Sequence, residues 1–270
     1  MRQWRLMYDL PTIGQRNMAV DEAVLTAVSA GDMPPTLRLY GWWPPCLSLG
    51  YAQKATDVDF ERLNALGWGV VRRPTGGRAI LHVDELTYSV ALPIDHPLAE
   101  GGIIDSYRRL SEALQAGLVR LGLQSQAERR TERNTNPSVV CFETPSHYEI
   151  TVGGRKLIGS AQLRRLAGLL QHGTLPLTGD VAGICDVLVY ADDAEREAAK
   201  STVRERATTL SEALGVEVSW EQAAEAVAEG FAETFGLEFS VGGLSHREEG
   251  HAEKLQHEVY NSIERPARVK

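Results

Sequence analysis

Hydrophobic positions along the chain switch between a helical and a strand period. In NMAVDEAVLTAVSAG (17–31), Val20, Ala23, Val24, Ala27 and Val28 form one apolar stripe, and Asn17 is the predicted N-cap of that helix. From 36 the period shortens: TLRLYGW alternates as a strand, Pro44-Pro45 interrupts it, and CLSLGYAQ (46–53) extends again. A short helix near 57–66 stops at Gly67. WGVVRR (68–73) predicts a third strand, and ELTYSVALP (85–93) a fourth. The helical period returns in IIDSYRRLSEALQAGLVRLG (103–122), with positions 107, 110, 114, 118 and 121 on one face.

Two strands, SHYEITV and RKLIGSAQ, flank Gly153-Gly154, a pair that the tight hairpin turns favour. LLQHGTLPL (169–177) is a further strand. Beyond 192 helices dominate: 193–207, then one opened by Ser219 with Gln222 three residues on, a capping box, and closed by Gly236. EFSV adds a strand and 246–262 a polar helix. The pattern predicts an α+β fold, a mixed β-sheet with packed helices. We expect one catalytic domain over 1–270, with a helical portion from about 192 to 270.

Composition narrows the function classes. With 43% hydrophobic and 24% charged residues the chain reads as globular, and no apolar run approaches the ~20 residues that span a bilayer. The amino terminus shows no secretory pattern, so the cytoplasm is the expected compartment. Three cysteines without a CxxC pair argue against both a disulfide framework and a thiolate zinc site. A net charge of −8 excludes a general nucleic-acid binder. Positive charge is nevertheless concentrated at Arg120, Arg129, Arg130, Arg133, Arg155, Lys156, Arg164 and Arg165. That patch reads either as a docking face for an acidic partner or as solvated arginines.

Candidate chemistry lies in two stretches. In VVRRPTGGRAILH (70–82), Thr75-Gly76-Gly77 lets backbone N–H groups approach a ligand, and Arg72, Arg73 and Arg78 add donors. A plain hairpin turn is the alternative. No P-loop or GxGxxG sequence is present. In CFETPSHYEITVGGRKLIGSAQ (141–162), Cys141 sits in a polar loop bracketed by Pro137 and Pro145. If the hairpin folds back, Lys156 approaches the thiol and lowers its pKa from ~8.5; a buried structural thiol is the other reading. Cys46 and Cys185 adjoin apolar runs and belong to the buried class. His82 and His172 end or interrupt apolar strands and line a pocket or sit satisfied in the core. His147 lies near the Cys141 loop as a potential base. No His, Asp or Glu spacing resembles a metal site.

Taken together, NMAVDEAVL (17–25), LRLYGWWPPCLSLGYAQ (37–53), RRPTGGRAILHVDELTYSV (72–90), GRKLIGSAQLRR (154–165) and LLQHGTLPL (169–177) resemble the lipoate-protein ligase and octanoyltransferase family. The resemblance covers about two thirds of the chain. It implies the catalytic fold of biotin and lipoate ligases, related to class II aminoacyl-tRNA synthetases. In that fold the glycine loop and the hairpin enclose an acyl chain and its carrier, and Lys156 contacts the acyl carbonyl. Arg72, Arg73, Thr75, Gly76, Gly77, Arg78, His82, His147, Gly159, Ser160 and His172 are the substrate-binding residues it suggests. Ligases follow their glycine loop with His-Asp-x-Gly-Asn, whereas here it is His82-Val83-Asp84-Glu85-Leu86. That departure, with Cys141 before the hairpin, is similar to the Gram-positive octanoyltransferases.

The resemblance therefore implies an enzyme with no cofactor. It takes octanoyl from acyl carrier protein through Cys141 to a lysine of lipoyl domains of 2-oxoacid dehydrogenases or of glycine cleavage H protein. The alternatives are an ATP-dependent lipoate ligase, a transferase moving octanoyl between lipoyl-accepting proteins, and an inert carrier-binding relative.

Overall fold

A computed structural model describes residues 2–128, 149–165 and 167–263 of the protein; Cys141, His147, Arg129, Arg130 and Arg133 lie outside these described residues. The chain opens with strand β1 (Gln3–Tyr8) and helix α1 (Gly14–Ser29), then lays β2 (Thr36–Tyr40) parallel to β1. Next come β3 (Cys46–Leu49), α2 (Phe60–Ala65), β4 (Gly69–Arg72), β5 (Ile80–His82) and β6 (Glu85–Pro93). Helix α3 (Ile103–Arg120) leads to β7 (Gln126–Glu128) and, after the gap in the described residues, to β8 (Glu149–Val152), β9 (Arg155–Arg165) and β10 (Gly168–Pro176). The remainder is α4 (Asp193–Arg206), α5 (Leu210–Leu214), α6 (Trp220–Phe235), β11 (Glu238–Val241) and α7 (His246–Leu255).

Eight strands form one mixed sheet in the order β11-β1-β2-β6-β10-β9-β8-β7, parallel at the β11-β1-β2 end and antiparallel beyond it. A second, three-stranded sheet runs β4-β3-β5. Strand β6 is buried along nearly its whole length, although Glu85, Thr87 and Ser89 alternate with apolar residues in its sequence. On one face Leu110, Leu114 and Leu118 of α3 and Val227 and Phe231 of α6 pack against Leu37, Leu39, Tyr88 and Val90. On the other, α1 packs through Met18, Val20 and Val24 against Tyr40 and Ala91, with Cys46 and Val71 of the small sheet in the same cluster. The small sheet's outer side is covered by Ile184, Cys185 and Val187 and by Val203 of α4.

This is the mixed sheet with packed helices that the sequence predicts, and three details correct the reading. Helix α1 starts at Gly14, not at Asn17. Asn17 is buried inside the helix, where its amide donates to the carbonyls of Thr12 and Gly41 and accepts from Arg38. Strand β1 is not legible in the sequence, because Arg5 breaks its apolar character. That charge is carried inside by a two-bond ion pair with Glu248 of α7. The described members of the basic patch are partnered within the chain: Arg120 with Glu229 and Glu233, Arg155 with Glu212, Lys156 with Glu149, Arg165 with Glu22, and Arg164 by donation to main-chain carbonyls. Cys46 and Cys185 are buried free thiols, and burial raises the Cys46 pKa far above its ordinary value. Among the described residues no helix is long and apolar enough to cross a membrane.

Candidate active site

The faces of the two sheets meet in a narrow slot. Met18 of α1, Tyr40 and Trp42, Ile80 of the small sheet, and Gly159 and Ala161 of β9 supply most of its apolar wall. Ser48, Arg73, His82, Thr87, His172 and Thr174 supply polar groups. Its cavity volume is about 20 Å3, room for little more than one water molecule. The sheet register explains the grouping: Tyr40 lies opposite Thr87, Thr87 opposite Thr174, and Thr174 opposite Gly159. Alternation along four adjacent strands therefore turns one row of residues into the slot.

Two buried hydrogen-bonded chains hold the slot's glycine loop. In the first, Arg38 and Tyr40 donate to Asp21, His172 Nδ1 lies 3.1 Å from Asp21 Oδ2, and His172 Nε2 lies 2.7 Å from Thr75 Oγ1. Burial alone would raise the Asp21 carboxyl, but the bond from His172 and the charge of Arg38 hold it below its ordinary value. Burial pushes the His172 imidazole below its ordinary value, against the pull of Asp21. A charged carboxylate accepts only, so Nδ1 carries the proton and donates to Asp21. Nε2 of the neutral ring then accepts from the Thr75 hydroxyl. The second chain runs from Arg73, which donates to Ser48 Oγ at 3.1 Å, through Ser48 to His82 Nε2 at 2.8 Å. His82 Nδ1 reaches Glu85 at 2.9 Å, and Glu85 also accepts from Thr87, which accepts from the Trp42 indole at 2.8 Å. His82 is stacked on Trp42 with centroids 3.9 Å apart.

These chains set the roles of the RRPTGGR residues. Arg73 donates to the carbonyls of Ser48, Gly76 and Arg78, so it shapes the loop from within. Arg72 points elsewhere. It donates to the carbonyls of Gly50, Tyr51, Gln53 and Ile263, bracing the neighbouring loop against the chain's last described residues, and it does not line the slot. Gly76 and Gly77 are exposed, and Gly77 adopts φ +94°, which disfavours any side chain. Arg78 is half-buried and makes no ion pair among the described residues.

Lys156 is the second residue of β9 and is 2% exposed, with Nζ 2.7 Å from Oε1 of the similarly buried Glu149 on β8. Its side chain lies over Gly159. A Cβ at 159 would come within 2.9 Å of Lys156 Cε and 3.2 Å of Nζ, so the absence of a side chain there makes room for the ammonium beside the slot. Ser160 is placed differently from expectation. Strand alternation turns it to the α3 side, where its hydroxyl accepts from Tyr88 at 2.6 Å and its carbonyl from Tyr107 at 2.7 Å. The structure thus brings Arg73, Thr75, His82, Gly159 and His172 together, with Lys156 at the edge, and sets Arg72 and Ser160 outside.

The sequence pattern does not single out Asp21, Arg38, Ser48, Glu85, Trp42 or Glu149. The usable signal was a charge within an apolar segment, as in TLRLY or HYEITV, because such residues are seldom buried unless paired.

A pH dependence follows from His172. Unfolded, its value is 6.5, and folded it is lower, so the unfolded chain binds the extra proton as pH falls below 6.5. Stability contributed at neutral pH is therefore lost on acidification. Asp21 has the same sign further down: its contribution is present above 3.8 and disappears as pH falls through its depressed folded value. The urea midpoint is expected to drop between about pH 7 and about pH 5, and His172→Gln to flatten that slope. An unchanged slope in the variant refutes the assignment of a neutral buried ring.

The sequence and the fold agree with what comparison finds. The family model for the lipoyl protein ligase A/B catalytic domain matches residues 14–232. A curated protein of Kyrpidia tusciae named Octanoyltransferase LipM is 46% identical over 261 residues, covering 94% of this chain and 95% of that one. Another so named, from Symbiobacterium thermophilum, is 44% identical over 263 residues, covering 95% of each. The structure of a bi-partite lipoate protein ligase from Thermoplasma acidophilum, described with its E2 lipoyl domain, superposes with a TM-score of 0.83 at 25% identity, covering 100% of both chains. The match to the family model over most of the chain, and relatives of this similarity over nearly its whole length, show that the protein belongs to the lipoyl protein ligase A/B catalytic domain family.

Proposed function

We propose that the protein is a cytoplasmic protein N-octanoyltransferase. Residues 1–270 act as one catalytic unit that takes octanoyl from acyl carrier protein, holds it on Cys141 as a thioester and delivers it to a lysine of a lipoyl domain or of glycine cleavage H protein. The observation that carries this reading is Lys156, an ammonium fixed by Glu149 beside an apolar slot, on a hairpin that follows Cys141 in sequence. Relatives named octanoyltransferase, 46% and 44% identical, support the acyl-transfer chemistry.

In the first step the Cys141 thiolate sulfur bonds to the thioester carbonyl carbon, the pantetheine carbon–sulfur bond breaks, and the leaving thiolate takes a proton. One thioester replaces another, so no ATP is needed. In the second step the acceptor lysine nitrogen attacks, loses its proton to solvent or a base, and Cys141 departs as thiolate. The product amide is resonance-stabilised, which makes this step downhill. Lys156 would stabilise both the thiolate and the oxyanion that forms in each step. Arg73, Thr75, Gly76, Gly77, Arg78, His82, Gly159 and His172 are read as substrate-binding residues, and His147 as a base. Burying seven methylene-like units at ~0.8 kcal/mol each contributes roughly 5–6 kcal/mol of gross binding. The slot as it stands is too narrow for that chain, so binding requires its walls to part.

Likeness to a lipoate protein ligase favours one second reading, ATP-dependent ligation. Purified protein given octanoyl-carrier protein and an apo lipoyl domain, without ATP, is expected to yield octanoyl-lysine. Product formed only from free octanoate with ATP and Mg supports the ligase instead.

A further inference from the structure

A second concavity lies against the slot at the same edge of the main sheet. It has a volume of about 430 Å3 and sits where β1, β2 and β10 end and β6 begins. It shares Trp42 and Glu85 with the wall and relay already described. Leu10, Pro11, Val218 and Trp220 form its apolar sides. Leu10 is 86% exposed and neighbouring Trp43 71%, an unusual outlay of large apolar surface at one place. Its charged lining is entirely acidic among the described residues: Asp9, Asp84, Glu85 and Glu221. Of these, Asp84 and Glu221 are exposed, whereas Asp9 is paired with Arg38. Glu225 of α6 adds to this negative field and, after burial, helps raise the pKa of Tyr8 at the groove's edge, whereas Glu229 further along the helix is paired with Arg120.

Two macromolecules must reach one thioester in the proposed reaction, and their reacting arms differ in charge. The donor arm carries a phosphodiester, which an acidic rim repels. The acceptor brings an ammonium group on an exposed turn, which an acidic rim attracts and an apolar wall flanks. The groove also lies on the correct side: the row Tyr40–Thr87–Thr174–Gly159 crosses the sheet immediately inside it, and Lys156 precedes Gly159 on the outermost strand of that row. We propose that the groove formed by Leu10, Trp42, Asp84, Trp220 and Glu221 is the docking surface for the acceptor protein, receiving the turn that bears its target lysine. This rests on the transferase reading and adds to it the place and chemistry of acceptor recognition.

The test uses a double variant, Leu10→Ser with Glu221→Lys, both at exposed positions outside the slot. Affinity for an apo lipoyl domain is measured by titration at low salt, and octanoyl loading from octanoyl-carrier protein is measured separately without acceptor. Binding is expected to weaken at least tenfold, and the wild type to lose affinity as salt is raised, with loading unchanged. Unchanged affinity overturns the proposal. So does impaired loading with acceptor affinity retained, because the donor would then occupy this surface. A wild type that never loads octanoyl, yet whose acceptor binding is lost in the variant, refutes the thioester reading while leaving the groove as the acceptor's site.

Discussion

Replacing Cys141 by alanine is expected to bring octanoyl transfer to background, a loss of roughly 10³- to 10⁶-fold, while the protein still folds and still binds an apo lipoyl domain. The expected size follows from what the sulfur does. Without it the amine must attack the carrier thioester directly, and the enzyme retains only positioning and charge stabilisation. Serine in its place should restore little, because a hydroxyl near an ammonium remains protonated at neutral pH where a thiol ionises. Full transfer by Cys141→Ala would sink the covalent route. Retained transfer that depended on ATP would point to the ligase chemistry of the family's other branch.

The second large effect belongs to Lys156. Removing one preorganised donor at a developing oxyanion costs about 10²–10³ in rate, and the same ammonium is asked to favour the thiolate, so Lys156→Ala should lose at least that factor in kcat. Stability complicates a single substitution. Glu149 is 4% exposed, and deleting the cation opposite a buried carboxylate typically costs 3–5 kcal/mol. The double variant Lys156→Met with Glu149→Gln removes both charges and should recover much of the stability without recovering the rate. Gly159→Ala provides an independent check. Its methyl group would stand 2.9 Å from Lys156 Cε, so the ammonium must shift and kcat should fall with the fold intact. Recovery of full activity in the charge-free pair would show that Lys156 is structural.

The parts of the fold that local chemistry dictates were legible in the sequence. Ser219 and Gln222 form the reciprocal capping box that their spacing predicts, and Gly236 ends the helix in the left-handed conformation. Gly153-Gly154 turns β8 into β9, both at positive φ. What sequence could not supply was partnership over long separations. Asp21, in the middle of a helix that reads as ordinary amphipathic, meets Arg38 and His172 across 17 and 151 positions. Arg5 needs Glu248 from the last helix before its place in a buried strand makes sense. The site divides along the same line. Arg73 and Thr75, Gly159, and His172 lie in three separate stretches that carry the family resemblance, and the fold brings them to one slot. Arg72 and Ser160 belong to the same motifs, yet strand alternation and loop direction turn them away from the slot. Adjacency in a motif places a residue near a site, and only the backbone direction decides which way it faces.

The central claim is that the side chain at position 141 carries the acyl group between two proteins. The most direct measurement is the intact mass of the wild-type protein after incubation with octanoyl-carrier protein in the absence of acceptor and ATP. One added octanoyl group is predicted, mapped to Cys141, released by hydroxylamine and discharged as amide when a lipoyl domain is added. An unmodified protein that nonetheless transfers octanoyl to the lipoyl domain at full rate would contradict it.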